Sequence, residues 1–164
     1  MALARQHRRA STFLCGGSSQ KNGGQETQAL GRSRGGFSTK IHIVVEALGN
    51  PLDFVLTGGQ VHDVTQAPVL LQGQRSEYVI ADKGYDAETL ITLIESQGAI
   101  PVIPARRNRR EPRWYDRDLY KERHAVECFV NKIKHYRHIF SRFDKLASRY
   151  LSFLHFVSTL IWLR

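Results

Sequence analysis

Ser76-Glu77-Tyr78-Val79-Ile80-Ala81, followed at once by Asp82-Lys83-Gly84-Tyr85-Asp86, is the stretch on which the fold turns. Tyr78 to Ala81 is short, almost continuously apolar and bounded by polar residues, as expected for a strand buried on both faces. Asp86 to Gln97 then carries Leu90, Ile91 and Ile94 at helical spacing and stops at Gly98, which predicts a helix. Ile100 to Ile103 is a further strand, closed by Pro104.

Upstream, Thr39-Lys40-Ile41-His42-Ile43-Val44-Val45-Glu46 alternates with β-branched residues and reads as a strand. Gly49-Asn50-Pro51 turns the chain, and Leu52 to Leu56 completes a hairpin. Before Phe37 the pattern fails. Gly16 to Gln25 has no periodicity and too few apolar residues for a core, so residues 1–36 are expected to be irregular or disordered. Downstream, the period turns helical from Asp116 to about Arg142, and a second helix is expected from Lys145 to Trp162. Hairpin, strand–helix–strand and long C-terminal helices predict a mixed α/β domain over residues 37–164.

Charge points to a partner. The 164 residues hold 24 Lys and Arg against 15 Asp and Glu, a net +9. Residues 1–40 carry +6, residues 41–100 carry −6, and residues 101–164 carry +9. An acidic middle between basic flanks suggests carboxylates within a surface that attracts a polyanion, nucleic acid first. An ordinary domain with a basic tail is the alternative. The two cysteines, Cys15 and Cys128, have no ligand spacing, which argues against a disulfide framework or a structural zinc site and for a reducing compartment. Cys128, beside Phe129, reads as core. No signal peptide is evident, and the uncharged run Tyr150 to Leu163 is too short for a bilayer span. It reads as a buried helix of a soluble, cytoplasmic protein.

The segment from Tyr120 to Lys134 carries the chemistry. On a continuous helix of about 100° per residue with Tyr120 at zero, Arg123 falls at roughly −60°, Glu127 at roughly −20° and Lys134 at roughly −40°. Val126, Phe129, Ile133 and Phe140 fall on a separate, apolar face. One helix thus presents a phenol, a guanidinium, a carboxylate and an ammonium in line, a set suited to phosphate oxygens and a divalent cation. The competing reading is a solvated face with an i,i+4 Arg–Glu pair. Asp82 is a second candidate, because ligands gather at the carboxyl ends of strands in α/β sheets. A helix-capping role competes, and fits Asp86 better. Arg106, Arg107, Arg109 and Arg110, followed by Arg113-Trp114-Tyr115, form a basic loop interleaved with aromatics that suits a nucleic-acid backbone. His62-Asp63 reads as structural rather than as a metal pair.

These residues carry a resemblance. The chain is similar to the C-terminal part of DDE-type insertion-sequence transposases, of the family-5-like group related to the family-4 group. Tyr120, Arg123, Glu127 and Lys134 match that group's Y-x2-R-x3-E-x6-K signature at every spacing, and Ala81-Asp82-Lys83-Gly84-Tyr85-Asp86 matches the segment bearing its second catalytic Asp. The resemblance extends from about Lys21 to Arg164. It implies an RNase H-like mixed sheet in which three carboxylates hold Mg²⁺ or Mn²⁺ for cleavage and strand transfer at insertion-sequence ends. Asp82 and Glu127 would be two of them, with Arg123 and Lys134 on DNA phosphates and Tyr120 positioning the substrate. The implied partners are insertion-sequence ends, target DNA and further copies of the chain, without a membrane, in a bacterial nucleoid-associated setting.

One part of the family pattern is missing. The first catalytic Asp belongs on a strand that lies centrally in this fold, and residues 1–36 contain a single acid, Glu26. The domain is therefore expected to lack its first, central strand, to be marginal in stability, and to be an incomplete fragment or downstream reading frame. Read one base later with permissible codons, Arg5 to Phe13 can spell Asp-Ser-Thr, and Gln20-Lys21-Asn22 can be an adenine run. Residues 1–20 are accordingly expected to be an out-of-frame reading of the missing segment. Two other outcomes stay open: a non-catalytic DNA-binding product that modulates the intact transposase, and a complete nuclease using Asp53 or Asp63.

Overall fold

A computed structural model describes residues 1–9, 27–33 and 36–164. In chain order the elements are β1 (Ala2–Arg9), β2 (Gly31–Ser33), β3 (Gly36–Val45), β4 (Pro51–Gly58), α1 (Ala67–Leu71), β5 (Tyr78–Ala81), α2 (Glu88–Ser96), β6 (Ile100–Val102), α3 (Arg117–Lys121), α4 (His124–Lys134), α5 (Arg137–Phe140) and α6 (Ala147–Trp162). Short 3₁₀ turns cover Asp63–Thr65 and Lys83–Tyr85. The six strands form one mixed sheet in the order β2-β3-β1-β5-β6, with β4 paired to β3. This is the α/β, RNase H-like class expected from the sequence.

One expectation needs correction. The central position is not empty: β1 lies between β3 and β5. It pairs in parallel with β5, Ala2 opposite Ile80 and Leu3 opposite Ala81. The Met1 ammonium donates to the Tyr78 carbonyl at 3.1 Å, and the Ile80 N–H donates to the Met1 carbonyl at 2.7 Å. The cause is backbone satisfaction. A central strand slot offers rows of N–H and C=O groups that any extended segment can pair. Ala2 and Leu3, both buried, supply enough apolar surface to settle there. The stretch expected to be irregular therefore contributes two strands, β1 and β2, while residues 10–26, with Cys15 and the Gly16 to Gln25 run, lie outside the described residues. The premise for marginal stability, an empty slot, falls with it.

Two compact units share the chain. The first comprises Met1–Ala4, His42–Val55 and His62–Phe129. Its core gathers Leu3, Val44, Leu70, Val79, Tyr85, Leu90 and Ile94. β5 and β6 run parallel, with Tyr78 opposite Ile100, Val79 opposite Pro101 and Ile80 opposite Val102. Pro101 is tolerated because β6 is an edge strand. The expected hairpin is present: β3 and β4 meet across a turn in which Gly49 donates to the Glu46 carbonyl at 3.0 Å and adopts φ +83, a conformation only glycine takes without strain.

The second unit comprises Arg5–Ile41, Leu56–Val61 and Val130–Arg164. β2 pairs antiparallel with β3, Gly31 opposite Ser38 and Ser33 opposite Gly36. At its centre is a buried charge, Arg142. Its guanidinium donates to Thr39 Oγ1 at 2.5 Å and to the carbonyls of Asp144 and Lys145 at 3.0 and 3.1 Å, and lies 5.4 Å from the Tyr150 ring centroid. The Gln28 side chain accepts the Ala147 N–H at 2.9 Å, satisfying a free donor in the first turn of α6.

The helices differ from the expected pair. The continuous pattern from Asp116 to Arg142 is broken into α3, α4 and α5, with turns at Glu122–Arg123 and His135–Tyr136. The break places Ile139 in the core and leaves Phe140 exposed, whereas Val126, Phe129 and Ile133 are buried as expected. α6 buries one face through Tyr150, Leu154 and Val157 but exposes Phe156, Leu160 and Trp162, so it is only partly buried. Among the described residues no helix is long and apolar enough to cross a membrane.

Candidate active site and nucleic-acid interface

Asp82 follows β5 directly and caps the 3₁₀ turn Lys83–Tyr85, its Oδ1 accepting the Gly84 N–H at 2.6 Å. Gly84 leaves room for that carboxylate. A Cβ there would stand 2.7 Å from Asp82 Oδ1 and push the carboxylate away. Asp82 is thus a cap, though of this turn and not of α2, whose N-cap is Ala87. Its second oxygen is left for other partners.

Tyr120 and Glu127 reach the same locality from α3 and α4. α3 packs against β5, beginning at Asp116, whose carboxylate caps it by accepting the N–H groups of Asp118 and Leu119 at 2.8 and 3.0 Å. α4 is held by its inner face, where the Phe129 ring lies 6.0 Å from that of Phe54. The turn between the helices is made of i,i+3 bonds: Arg123 N–H to the Tyr120 carbonyl at 3.1 Å and Val126 N–H to the Arg123 carbonyl at 3.2 Å. The uniform helical phase assumed from the sequence does not hold across Glu122–Arg123. The tight turn nevertheless keeps the first three signature residues together. The Arg123 guanidinium lies 5.8 Å from the Tyr120 ring centroid and donates to Glu127 Oε1.

The Tyr120 phenol reports the assembly. Burial pushes its ionisation above the ordinary 10.0; the Arg123 charge opposes this, and Asp82, Tyr115 and Glu127 add to it. One hydroxyl therefore senses both candidate carboxylates, and it stays protonated, a donor for an anionic oxygen. The i,i+4 Arg–Glu pair of a solvated face is present too, since Glu127 is 47% exposed.

The remaining sequence candidates are placed less uniformly. Lys134 lies at the far end of α4, in the second unit, donating to Asn131 Oδ1 at 3.2 Å. Cys128 is not core. It is half-buried, with its sulfur 3.1 Å from His124 Nε2. Asp63 is buried, with Oδ1 3.9 Å from His42 Nδ1, and Asp53 Oδ1 accepts the Phe54 N–H at 2.7 Å.

The basic loop contains a latch that sequence reasoning missed. Arg106 donates its backbone N–H to Asp86 Oδ2 at 2.8 Å and its guanidinium to the carbonyls of Gly84 and Lys83 at 2.7 and 3.2 Å. Arg109 pairs with Asp86 and, at 2.5 Å, with Glu88, which also receives Arg113. The loop is thereby tied to the turn that presents Asp82. Arg106 and Arg109 are engaged within the protein, whereas Arg107 and Arg110 are exposed and take part in none of the described ion pairs. The only signal was composition, an Asp and a Glu facing an arginine cluster, and the partners are 20 to 25 residues apart in sequence.

The donor set does not fit the three-carboxylate metal centre that the family resemblance implies. Asp82 and Glu127 supply two carboxylates, but β1, with the sequence ALARQHRR, brings none to the central strand. Among the described residues no three His, Cys, Asp or Glu side chains come together as a metal site.

Residues 10–151 match the family described as Transposase DDE domain. The chain is 42% identical over 133 residues to a Brucella ovis protein named as transposase for insertion sequence element IS6501, an overlap of 78% of this chain and 100% of that one. It is 34% identical over 128 residues to a Burkholderia cepacia protein named as transposase for insertion sequence element IS402, covering 71% of this chain and 58% of that one. No solved structure matches significantly.

Proposed function

Because the chain belongs to the DDE transposase family, we propose that it supplies two of the catalytic carboxylates and the DNA-binding surface of an insertion-sequence transposase. The observation that carries this reading is the Tyr120–Arg123–Glu127 cluster of the α3–α4 turn, with α3 packed against β5, the strand that leads into Asp82. In it, Asp82 and Glu127 are the acidic members of the site. Tyr120 donates to a phosphate oxygen, Arg123 neutralises the phosphodiester, and Lys134 meets the backbone further along. Arg107 and Arg110 make the loop's phosphate contacts, while Arg106 and Arg109 hold the loop in place.

Cleavage dependent on Mg²⁺ or Mn²⁺ belongs, in this reading, to a product that also carries an upstream Asp. The chain described here is then an incomplete fragment or downstream frame. A cleavage assay on the element's end DNA tests this by comparing the chain with a version joined in frame at Lys21 to the Asp-bearing segment. Both should bind DNA, and only the joined version should cut, losing activity on Asp82→Ala or Glu127→Ala. Cutting by the chain alone that is abolished by Glu127→Ala would overturn the incompleteness. Absence of DNA binding would overturn the reading itself.

One observation favours a second reading. β1 fills the sheet's centre without a carboxylate, which supports a chain that is folded but acid-poor at its site. Such a chain would occupy element ends without cutting them and modulate the intact transposase. Added in excess to the joined version, it should inhibit cleavage, and Arg107→Ala with Arg110→Ala should relieve the inhibition.

A further inference from the structure

We propose that His124 and Cys128 form an exchangeable binding site for one thiophilic divalent cation of the Zn²⁺ class, and that the bound ion restrains the Glu127 carboxylate. The site itself is independent of the transposase reading; only its consequence for Glu127 rests on that reading.

The two side chains lie one turn apart on α4, and the Cys128 sulfur is 3.1 Å from His124 Nε2. The other ring nitrogen, Nδ1, faces Glu127 Oε2 at 3.6 Å. A histidine that ligates a metal almost always gives its second ring N–H to a carboxylate, carbonyl or water, which fixes the tautomer and aims the free lone pair at the ion. Glu127 stands where that partner belongs: Arg123 engages its Oε1, and Oε2 is turned toward His124.

The distances suit a metal. Bonds of about 2.3 Å to sulfur and about 2.0 Å to nitrogen at a tetrahedral angle set the two ligand atoms about 3.5 Å apart. The pair need open by only about 0.4 Å to reach that separation. His124 is 74% exposed and Cys128 half-buried, so the adjustment meets no packed core. Thiolate and imidazole select Zn²⁺ or Co²⁺, whereas Mg²⁺ and Mn²⁺ prefer oxygen ligands. On binding, the thiol proton passes to water, and water fills the remaining positions. Two protein ligands do not make the four-ligand structural site that the cysteine count argues against, so the ion exchanges with solvent. With the ion bound, His124 holds one Glu127 oxygen while Arg123 holds the other, and the carboxylate is withdrawn from the DNA-cleaving site.

Cys15→Ser leaves Cys128 as the sole thiol. In that background, Co²⁺ should raise a thiolate-to-metal charge-transfer absorption in the near ultraviolet, and Zn²⁺ should abolish it by displacement. Cys128→Ala should remove the absorption, and His124→Ala should weaken binding by at least about tenfold. Glu127→Ala should weaken it by about ten- to a hundredfold, as loss of a ligand's orienting partner does. In the joined version with Mg²⁺ present, Zn²⁺ should inhibit cleavage and Cys128→Ala should relieve the inhibition. An absent absorption, or one that His124→Ala leaves unchanged, overturns the site. Binding that does not respond to Glu127→Ala, or inhibition that survives Cys128→Ala, overturns the consequence for Glu127. A joined version that does not cut with Mg²⁺ counts against the transposase reading, and the absorption still decides the site.

Discussion

Asp86→Ala should unlatch the arginine loop, and the structure gives its cost. The Asp86 side chain is 4% exposed and does two things: Oδ2 accepts the Arg106 N–H at 2.8 Å, and Oδ1 pairs with Arg109. Truncation orphans a part-buried backbone donor, which costs about 1–3 kcal/mol. The Arg109 guanidinium is 22% exposed and also reaches Glu88, so it keeps a partner and some water; loss of its Asp86 bond adds about 1 kcal/mol. The total is about 2–4 kcal/mol, which at a urea slope of about 2 kcal/mol/M lowers the midpoint by about 1–2 M. Asp86→Asn, which retains an acceptor for Arg106, should cost about 1 kcal/mol. Glu88→Gln should cost less than about 1 kcal/mol, because Glu88 is 68% exposed. Urea unfolding by circular dichroism measures all three, and trypsin should cut at Arg107 and Arg110 faster in Asp86→Ala than in the parent. A shift below about 0.5 kcal/mol for Asp86→Ala, or a Glu88→Gln variant as unstable as Asp86→Ala, would refute the latch.

Four further outcomes follow from the same coordinates. Gly84→Ala sets a Cβ 2.7 Å from Asp82 Oδ1 and should lower cleavage by the joined version by roughly tenfold or more with little change in melting temperature. Arg142→Met strips the donors from Thr39 and from the Asp144 and Lys145 carbonyls and should destabilise the protein by about 1–3 kcal/mol in urea titration, the cost of leaving buried neutral acceptors unpaired. For Tyr120, ionisation followed by ultraviolet difference absorbance, with Tyr120→Phe subtracted, should move down on Asp82→Asn or Glu127→Gln and up on Arg123→Gln. Because its folded value is raised above 10.0, chiefly by burial, the stability linked to its proton is complete below that pH and is lost as pH rises through the folded value. Arg107→Ala and Arg110→Ala should each reduce the slope of log affinity against log salt by about 0.9, in filter-binding or anisotropy titrations on duplex DNA.

What the sequence made legible follows from how locally each feature is encoded. The β3–β4 hairpin, the β5–α2–β6 order and the Asp82 turn are set by alternation, a glycine stop and a proline, all within a few residues. The helix breaks at Glu122–Arg123 and His135–Tyr136 were not legible, because no glycine or proline lies between Asp116 and Arg142 to mark them. The latch and the Arg142 centre join residues 20 to more than 100 apart, so no local window contains them. The i,i+4 bond of Arg123 to Glu127 was visible in the spacing, but the packing of α3 against β5, the strand that leads into Asp82, was not.

β1 is the instructive difference. A strand's place in a sheet is decided by backbone pairing and a little apolar cover, both of which Ala2 and Leu3 provide against Ile80 and Ala81. A strand's chemistry is decided by its side chains, and ALARQHRR holds no acid. Filling the slot and completing the site are therefore separate events. A chain can gain a central strand, and the stability that comes with it, while its site stays short of a carboxylate. It follows that stability and activity should come apart here: the chain should unfold cooperatively even though only the joined version cuts. A broad, non-cooperative transition would mean that Ala2 and Leu3 do not hold the slot and that the sheet is open at its centre.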